Sequence, residues 1–210
     1  MTYSIKEIFY TLQGEGIQSG RPAVFCRFAG CNLWTGREED RSTAICNFCD
    51  TDFIGTNGTL GGKFTTATDL ADLIAKQWPT EMENRFVVLT GGEPLLQVDA
   101  ELINALHKNN FEIALETNGT ITVPEGIDWI CVSPKSGADW VQKTGHELKL
   151  IYPQIGLLPH EIQTFGFQYY LLQPMDNILK KQNTIQAIKY CQSNPKWRLS
   201  VQTHKVLEIR

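Results

Sequence analysis

Cys31, Cys46 and Cys49 follow directly on the first apolar run of the chain, and they constrain the fold more than any other feature. If the three thiols share one site, the charged segment between Cys31 and Cys46 must leave a strand end and return to it. Cys46-Asn47-Phe48-Cys49 is a Cys-x-x-Cys turn with an aromatic between its sulfurs. Three thiolates fall one short of the four protein ligands of a closed structural zinc site. An iron–sulfur cubane has four irons, so three cysteines leave one iron free to bind a small molecule.

Zinc completed by a histidine is the alternative. None of His107, His146, His160 or His204 is close to the cysteines in sequence, although the fold could bring one near. The remaining cysteines, Cys26, Cys131 and Cys191, lie in apolar runs or at a helix end and read as small buried hydrophobes. A chain of 210 residues with 42% hydrophobic content can bury a full core, and a single domain spanning 1–210 is expected. A net charge of −4 gives no bulk attraction to nucleic acid. No run approaches the roughly 18 apolar residues of a membrane span. The first residues do not read as a signal peptide, so a cytoplasmic setting is expected. There, cysteines more often serve metal binding or catalysis than disulfides.

Apolar or β-branched runs occur at residues 23–28, 86–89, 112–115, 129–132, 148–151, 167–172 and 197–201. Helical spacing of apolar residues marks 68–78 (Leu70, Leu73, Ile74), 100–108 (Leu102, Ile103, Leu106) and about 182–191 (Ile185, Ile188). Strands alternating with helices predict a parallel sheet with crossover helices. Residues 206–210 read as a last strand-like segment. In a parallel β/α barrel the strand ends converge on one face, where active sites form; a complete barrel takes roughly 250 residues. The expectation is therefore an α/β fold: an abbreviated, open, TIM-like partial barrel with its site at the C-terminal ends of the strands.

The polar tips of these strands carry the chemistry. Gly91-Gly92 is either an ordinary turn or a place where backbone approaches a ligand closely, and it lacks the spacing of a dinucleotide fingerprint. Glu116-Thr117-Asn118-Gly119 has the Asn-Gly of a turn, and the Glu116 carboxylate could accept hydrogen bonds from ribose hydroxyls. Ser133-Pro134-Lys135 and Gln173-Pro174-Met175-Asp176 each set polar groups beside a rigid proline. Arg27 sits among Phe25, Cys26 and Phe28, which suggests an interior cation in need of a partner.

The three cysteines followed by Thr90-Gly91-Gly92-Glu93-Pro94 resemble the radical S-adenosylmethionine (SAM) superfamily. The usual spacing there puts three residues between the first two cysteines, where this chain has fourteen. Phe9-Tyr10-Thr11-Leu12-Gln13-Gly14-Glu15-Gly16, the stretch from Phe25 to Trp34, Cys49-Asp50-Thr51 and Gln202-Thr203-His204-Lys205 narrow the resemblance to the 7-carboxy-7-deazaguanine synthase family, some members of which carry the longer insertion. The similarity runs from residue 5 to the C-terminus.

The resemblance implies a lyase that turns 6-carboxy-5,6,7,8-tetrahydropterin into 7-carboxy-7-deazaguanine with loss of ammonia. A 5′-deoxyadenosyl radical takes hydrogen from C6, the ring contracts and the hydrogen returns, on the way to queuosine and other 7-deazapurines. It implies a [4Fe–4S] cluster on Cys31, Cys46 and Cys49. It assigns SAM to Phe48, Gly91, Gly92, Glu116, Ser133, Pro134, Lys135, Gln173, Pro174, Met175 and Asp176, and Mg2+ to Thr51. The pterin falls to Leu12, Gln13, Gly14, Glu15, Arg27, Thr90, His204 and, through its backbone, Arg210. Gln13, Glu15, Arg27 and His204 suit a flat, amide-rich heterocycle bearing a carboxylate. A flavodoxin or ferredoxin as electron donor and a homodimer are the family expectations, with no nucleic acid and no membrane partner. The competing readings are a glycyl-radical-enzyme activase and a zinc-stabilised binding module.

Overall fold

The computed structural model describes residues 2–79 and 83–210. Its strands are β1 (Tyr3–Leu12), β2 (Pro22–Phe28), β3 (Gly62–Phe64), β4 (Phe86–Gly91), β5 (Glu112–Thr117), β6 (Trp129–Val132), β7 (Thr144–Tyr152), β8 (Gly166–Pro174) and β9 (Trp197–Leu199). They form one sheet in the order β3-β1-β2-β4-β5-β6-β7-β8-β9. Every pairing from β2 to β9 is parallel, while β1 runs antiparallel to both β2 and β3. The sheet stays open, with β3 and β9 at its ends, as expected of a partial barrel.

Among the described residues five α-helices accompany it: α1 (Ala67–Ala75), α2 (Ala100–Lys108), α3 (Pro159–Ile162), α4 (Lys180–Ser193) and α5 (Thr203–Leu207). Thr66 and Asp99 cap α1 and α2 by accepting hydrogen bonds from the amides of Asp69 and Leu102. The faces of Leu70 and Ile74 on α1, and of Leu102, Ile103 and Leu106 on α2, bury against Val87, Leu89 and Ile113 of the sheet. That apolar burial fixes the sheet half that carries the cysteines. No helix covers the β5–β6 or β6–β7 crossovers, which is how so short a chain completes seven parallel strands.

Three expectations need correction. α4 is present, but Ile185 and Ile188 are 46% and 37% exposed; its buried residues are Asn183 and Ala187. The helical spacing was sound, and the side facing the sheet was not the one with the large aliphatics. β1 and β3 escaped the periodicity, because Lys6-Glu7 interrupts the apolar pattern and the register shifts between Ile5 and Glu7. Lys6 is buried there, its ammonium held by the Ile54 carbonyl at 2.9 Å and Asp52 at 2.8 Å. Finally, residues 206–210 are no strand. Beyond β9 the chain leaves the sheet, and Thr203 N–H donates to the Gly14 carbonyl at 2.9 Å. Val206 and Leu207, 74% and 61% exposed, then turn through α5 with no strand alongside to pair. Cys26 and Cys131 are buried as expected, whereas Cys191 is only partly so.

Candidate active site

Two cavities open side by side at the C-terminal ends of the parallel strands. Cys31, Cys46 and Cys49 line the first, together with Phe48, Gly91, Gly92, Glu116, Ser133, Lys135, Gln173, Pro174, Met175 and Asp176. Leu12, Gln13, Gly14, Glu15, Arg27, Thr90, His204 and Arg210 line the second. Thr51 borders both, as do Glu15, Asp50, Thr90, Glu116 and Gln202. Of the residues assigned to the cluster, SAM, Mg2+ or the pterin, Pro134 alone borders neither cavity; its carbonyl accepts a hydrogen bond from Gln154 Nε2 at 3.2 Å.

The cysteine loop is built by short-range bonding. The insertion forms an exposed 3-10 turn, Glu38–Thr43, and returns as Cys46 N–H donates to the Leu33 carbonyl. The Cys46 thiol donates towards Cys49, which lowers the Cys49 pKa and raises that of Cys46, while Lys135 favours the thiolate of both. Burial pushes Cys31 up, opposed by the Leu33 amide, which donates to its sulfur. Three soft sulfur donors with a nearby cation, and no histidine on the cavity wall, match a three-thiolate cluster better than a four-ligand zinc site.

Gly91 and Gly92 are required for a reason the sequence did not reveal. A Cβ on Gly91 would lie 2.3 Å from the Phe28 carbonyl oxygen, and one on Gly92 would lie 2.0 Å from that of Gly30. The glycines let β4 press against the backbone that leads into Cys31. Glu93, fully buried, then ties β4 to β5 by accepting from Thr117 Oγ1 and from the Asn118 amide, both at 2.8 Å. Burial raises its pKa against those bonds. Lys135 Nζ donates to both oxygens of Ser133, and Gln173 accepts from Ser200 Oγ at 3.0 Å.

In the second cavity Arg27 finds its partner: its Nε donates to Glu7 Oε1 at 2.9 Å, across the β1–β2 pairing that sets the two residues opposite each other. The other Glu7 oxygen takes the Arg210 guanidinium at 2.6 Å, which lies 4.7 Å from the centre of the Phe9 ring. Gln13 Oε1 accepts from the Glu15 amide, and Gly14 leaves room for His204, whose ring nitrogen a Cβ there would meet at 2.3 Å. Burial holds His204 below the ordinary imidazole pKa, against the pull of Glu15. Sequence reasoning missed Glu7, Glu93, Lys149 and Gln202. Glu93 and Gln202 had a signal, their places in Thr90-Gly91-Gly92-Glu93-Pro94 and beside Thr203-His204; Glu7 and Lys149 had none.

An open, mainly parallel sheet with three thiols and a Gly-Gly segment at its strand ends defines an enzyme of the radical SAM class. The family model of the Radical SAM superfamily matches residues 41–143, beginning inside the insertion and therefore beyond Cys31. The 7-carboxy-7-deazaguanine synthase of Bradyrhizobium diazoefficiens is 61% identical over 210 residues, covering 100% of both chains. That of Caulobacter vibrioides is 59% identical over 209 residues, again with 100% coverage of both. The crystal structure of QueE from Escherichia coli superposes with a TM-score of 0.72 at 31% identity, covering 97% of this chain and 95% of that one. The chain belongs to the 7-carboxy-7-deazaguanine synthase family.

Proposed function

We propose that the chain converts 6-carboxy-5,6,7,8-tetrahydropterin into 7-carboxy-7-deazaguanine and ammonia, in the biosynthesis of queuosine and related 7-deazapurines. The observation that carries this reading is the wall shared by a thiol-lined cavity and a polar cavity that contains Arg27. A [4Fe–4S] cluster on Cys31, Cys46 and Cys49 with SAM beside it supplies, when bound, a hydrogen-abstracting carbon radical.

Everything else is the work of side chains. Arg27 keeps its Nη groups for the substrate carboxylate while Glu7 holds its Nε. Gln13, Glu15 and His204 read the edge of the pterin, His204 as a neutral imidazole. Leu12, Gly14 and Thr90 shape the seat, and Arg210 contacts the substrate through its backbone. Glu116, Ser133, Pro134, Lys135 and the run from Gln173 to Asp176 receive SAM, with Gly91, Gly92 and Phe48 flanking it. Thr51 offers a hydroxyl at the boundary of the two cavities, a fitting oxygen ligand for Mg2+ between protein and substrate carboxylate. Packing of the two ligands against each other where the cavities meet, beside Thr51, Thr90 and Glu116, aligns the hydrogen to be removed and keeps water out.

Among the described residues no helix is long and apolar enough to cross a membrane. Cytoplasmic residence and reduction by a flavodoxin or ferredoxin accord with a cluster that must stay reduced. A homodimer accords with the exposed Ile185, Ile188, Leu199 and Val201 on and beside α4 and β9, where the sheet ends. The test is an anaerobic assay of the reconstituted protein with the carboxytetrahydropterin, SAM, magnesium and a low-potential reductant (dithionite or reduced flavodoxin), read by mass spectrometry. The deazaguanine and ammonia should form, and Cys46→Ala should form neither. Absence of the product from brown, iron-loaded protein rules the reading out.

A further inference from the structure

Lys149, on β7, is buried at the edge of the thiol-lined cavity, where a lone ammonium would be very costly. Its Nζ lies 2.7 Å from Glu15 Oε2 and 2.9 Å from Glu116 Oε2. Those two carboxylates come from opposite sides of the site: Glu15 from the β1–β2 connection and Glu116 from the end of β5. Both border both cavities, and Lys149 itself lines the thiol-side cavity.

The remaining oxygens of the pair are also held. Gln202 Nε2 donates to Glu15 Oε1 at 3.0 Å, and Gln13 Nε2 reaches Glu116 Oε1 at 3.5 Å. Glu116 also stands with Cys131 and Glu147, their ligand atoms within 4.8 Å of one another, a constellation that would attract a cation. The Lys149 ammonium already supplies that charge. Glu147 in turn accepts from the Ile17 amide at 2.7 Å and from Trp129 Nε1 at 3.0 Å, pinning the β1–β2 connection to β7.

Building on the proposed function, we infer that Lys149 is a positioning residue that fixes the junction of the SAM and pterin seats by clamping Glu15 and Glu116 to one ammonium. Without it, two buried carboxylates face each other across the site and must separate or take up a proton. Either response moves a pterin-facing group and a nucleoside-facing group together. The geometry of hydrogen abstraction then suffers more than either binding step, because a small misplacement of reacting atoms costs rate steeply.

The test uses reconstituted Lys149→Met and Lys149→Arg enzymes. It compares KM for the pterin, the dissociation constant of SAM, and the 5′-deoxyadenosine formed per deazaguanine. Lys149→Met is expected to weaken both ligands a few-fold and to raise the deoxyadenosine-to-product ratio about tenfold, with iron content unchanged. Lys149→Arg keeps the charge, so it should bind both ligands nearly as the parent does, yet show a raised ratio because its wider head displaces the carboxylates. A merely structural lysine would lower the melting temperature and leave the ratio alone. An unchanged ratio in whichever variants fold overturns the inference. Turnover of the pterin by the parent enzyme is scored separately, so a wrong substrate is not mistaken for a wrong role of Lys149.

Discussion

Arg41, within the long insertion, donates through Nη1 to the Cys49 carbonyl at 3.0 Å and to the Asn47 carbonyl at 3.1 Å. Its guanidinium also lies 4.0 Å from the centre of the Trp34 ring and pairs with Glu38. One side chain of the insertion thereby fastens the Cys-x-x-Cys turn to the segment that follows Cys31.

Arg41→Ala should free that turn without unfolding the sheet. Iron should leave the reconstituted protein several-fold faster under chelator, while the far-ultraviolet circular dichroism stays that of the parent. Equal release rates would show that the insertion holds the turn by other means.

Arg27→Ala should spare the cluster and impair the pterin. Losing hydrogen bonds between charged partners costs about 1.5–3 kcal/mol, or roughly a 10- to 100-fold fall in kcat/KM at limiting substrate. Visible absorption and iron content should match the parent. Normal turnover at limiting substrate would move the carboxylate elsewhere. Glu7→Gln should give a milder form of the same defect, because it loosens Arg27 without removing it.

Gly92→Ala should be among the most damaging small changes. Its new methyl would lie 2.0 Å from the Gly30 carbonyl oxygen, and backbone cannot swing aside as a side chain can. Overpacking of this kind costs about 1–3 kcal/mol or more, and here the displaced segment carries Cys31. Loss of denaturant stability together with loss of cluster incorporation is the expected pair of results.

Acid stability should depend on Glu15. Burial pushes its carboxyl up, but the Lys149 ammonium outweighs that and holds it at about 2, against an ordinary value of 4.5. A depressed carboxyl contributes stability that is present above the ordinary value and is lost as pH falls from 4.5 towards 2. The full window is worth up to about 3 kcal/mol at roughly 1.4 kcal/mol per pH unit. Glu147 acts with the opposite sign: burial raises its pKa, so its ionisation at higher pH costs stability. Denaturant titrations between pH 6 and pH 3 should fall more steeply for the parent than for Glu15→Gln.

The parallel strands were legible because each is a short apolar run ending in a polar tip, and burial on both faces leaves that mark in any order of residues. α1 and α2 were legible because their buried faces repeat at helical spacing. β1 was not: it places Lys6 and Glu7 in mid-strand, and their reason for being there is a partner far along the chain. Lys6 answers to Asp52, and Glu7 answers to Arg27 and Arg210. The segment after Gln202 misled because Val206, Leu207 and Ile209 favour strands, yet a strand also needs a neighbour with free donors and acceptors.

By itself the sequence determined the chemistry available: three thiols in a fixed local arrangement, glycines at a strand end, and polar groups at the tips of parallel strands. These are properties of neighbouring residues, so they survive in the order of the letters. Only the tertiary structure decided that two cavities share a wall, that Gly91 and Gly92 make room for the backbone before Cys31, and that Lys149 joins Glu15 to Glu116. Those contacts span 134 and 33 positions, and no local pattern encodes which buried carboxylate will neutralise which buried cation. That pairing is settled when the sheet assembles and excludes water, because only there does an unpaired charge become too costly to leave.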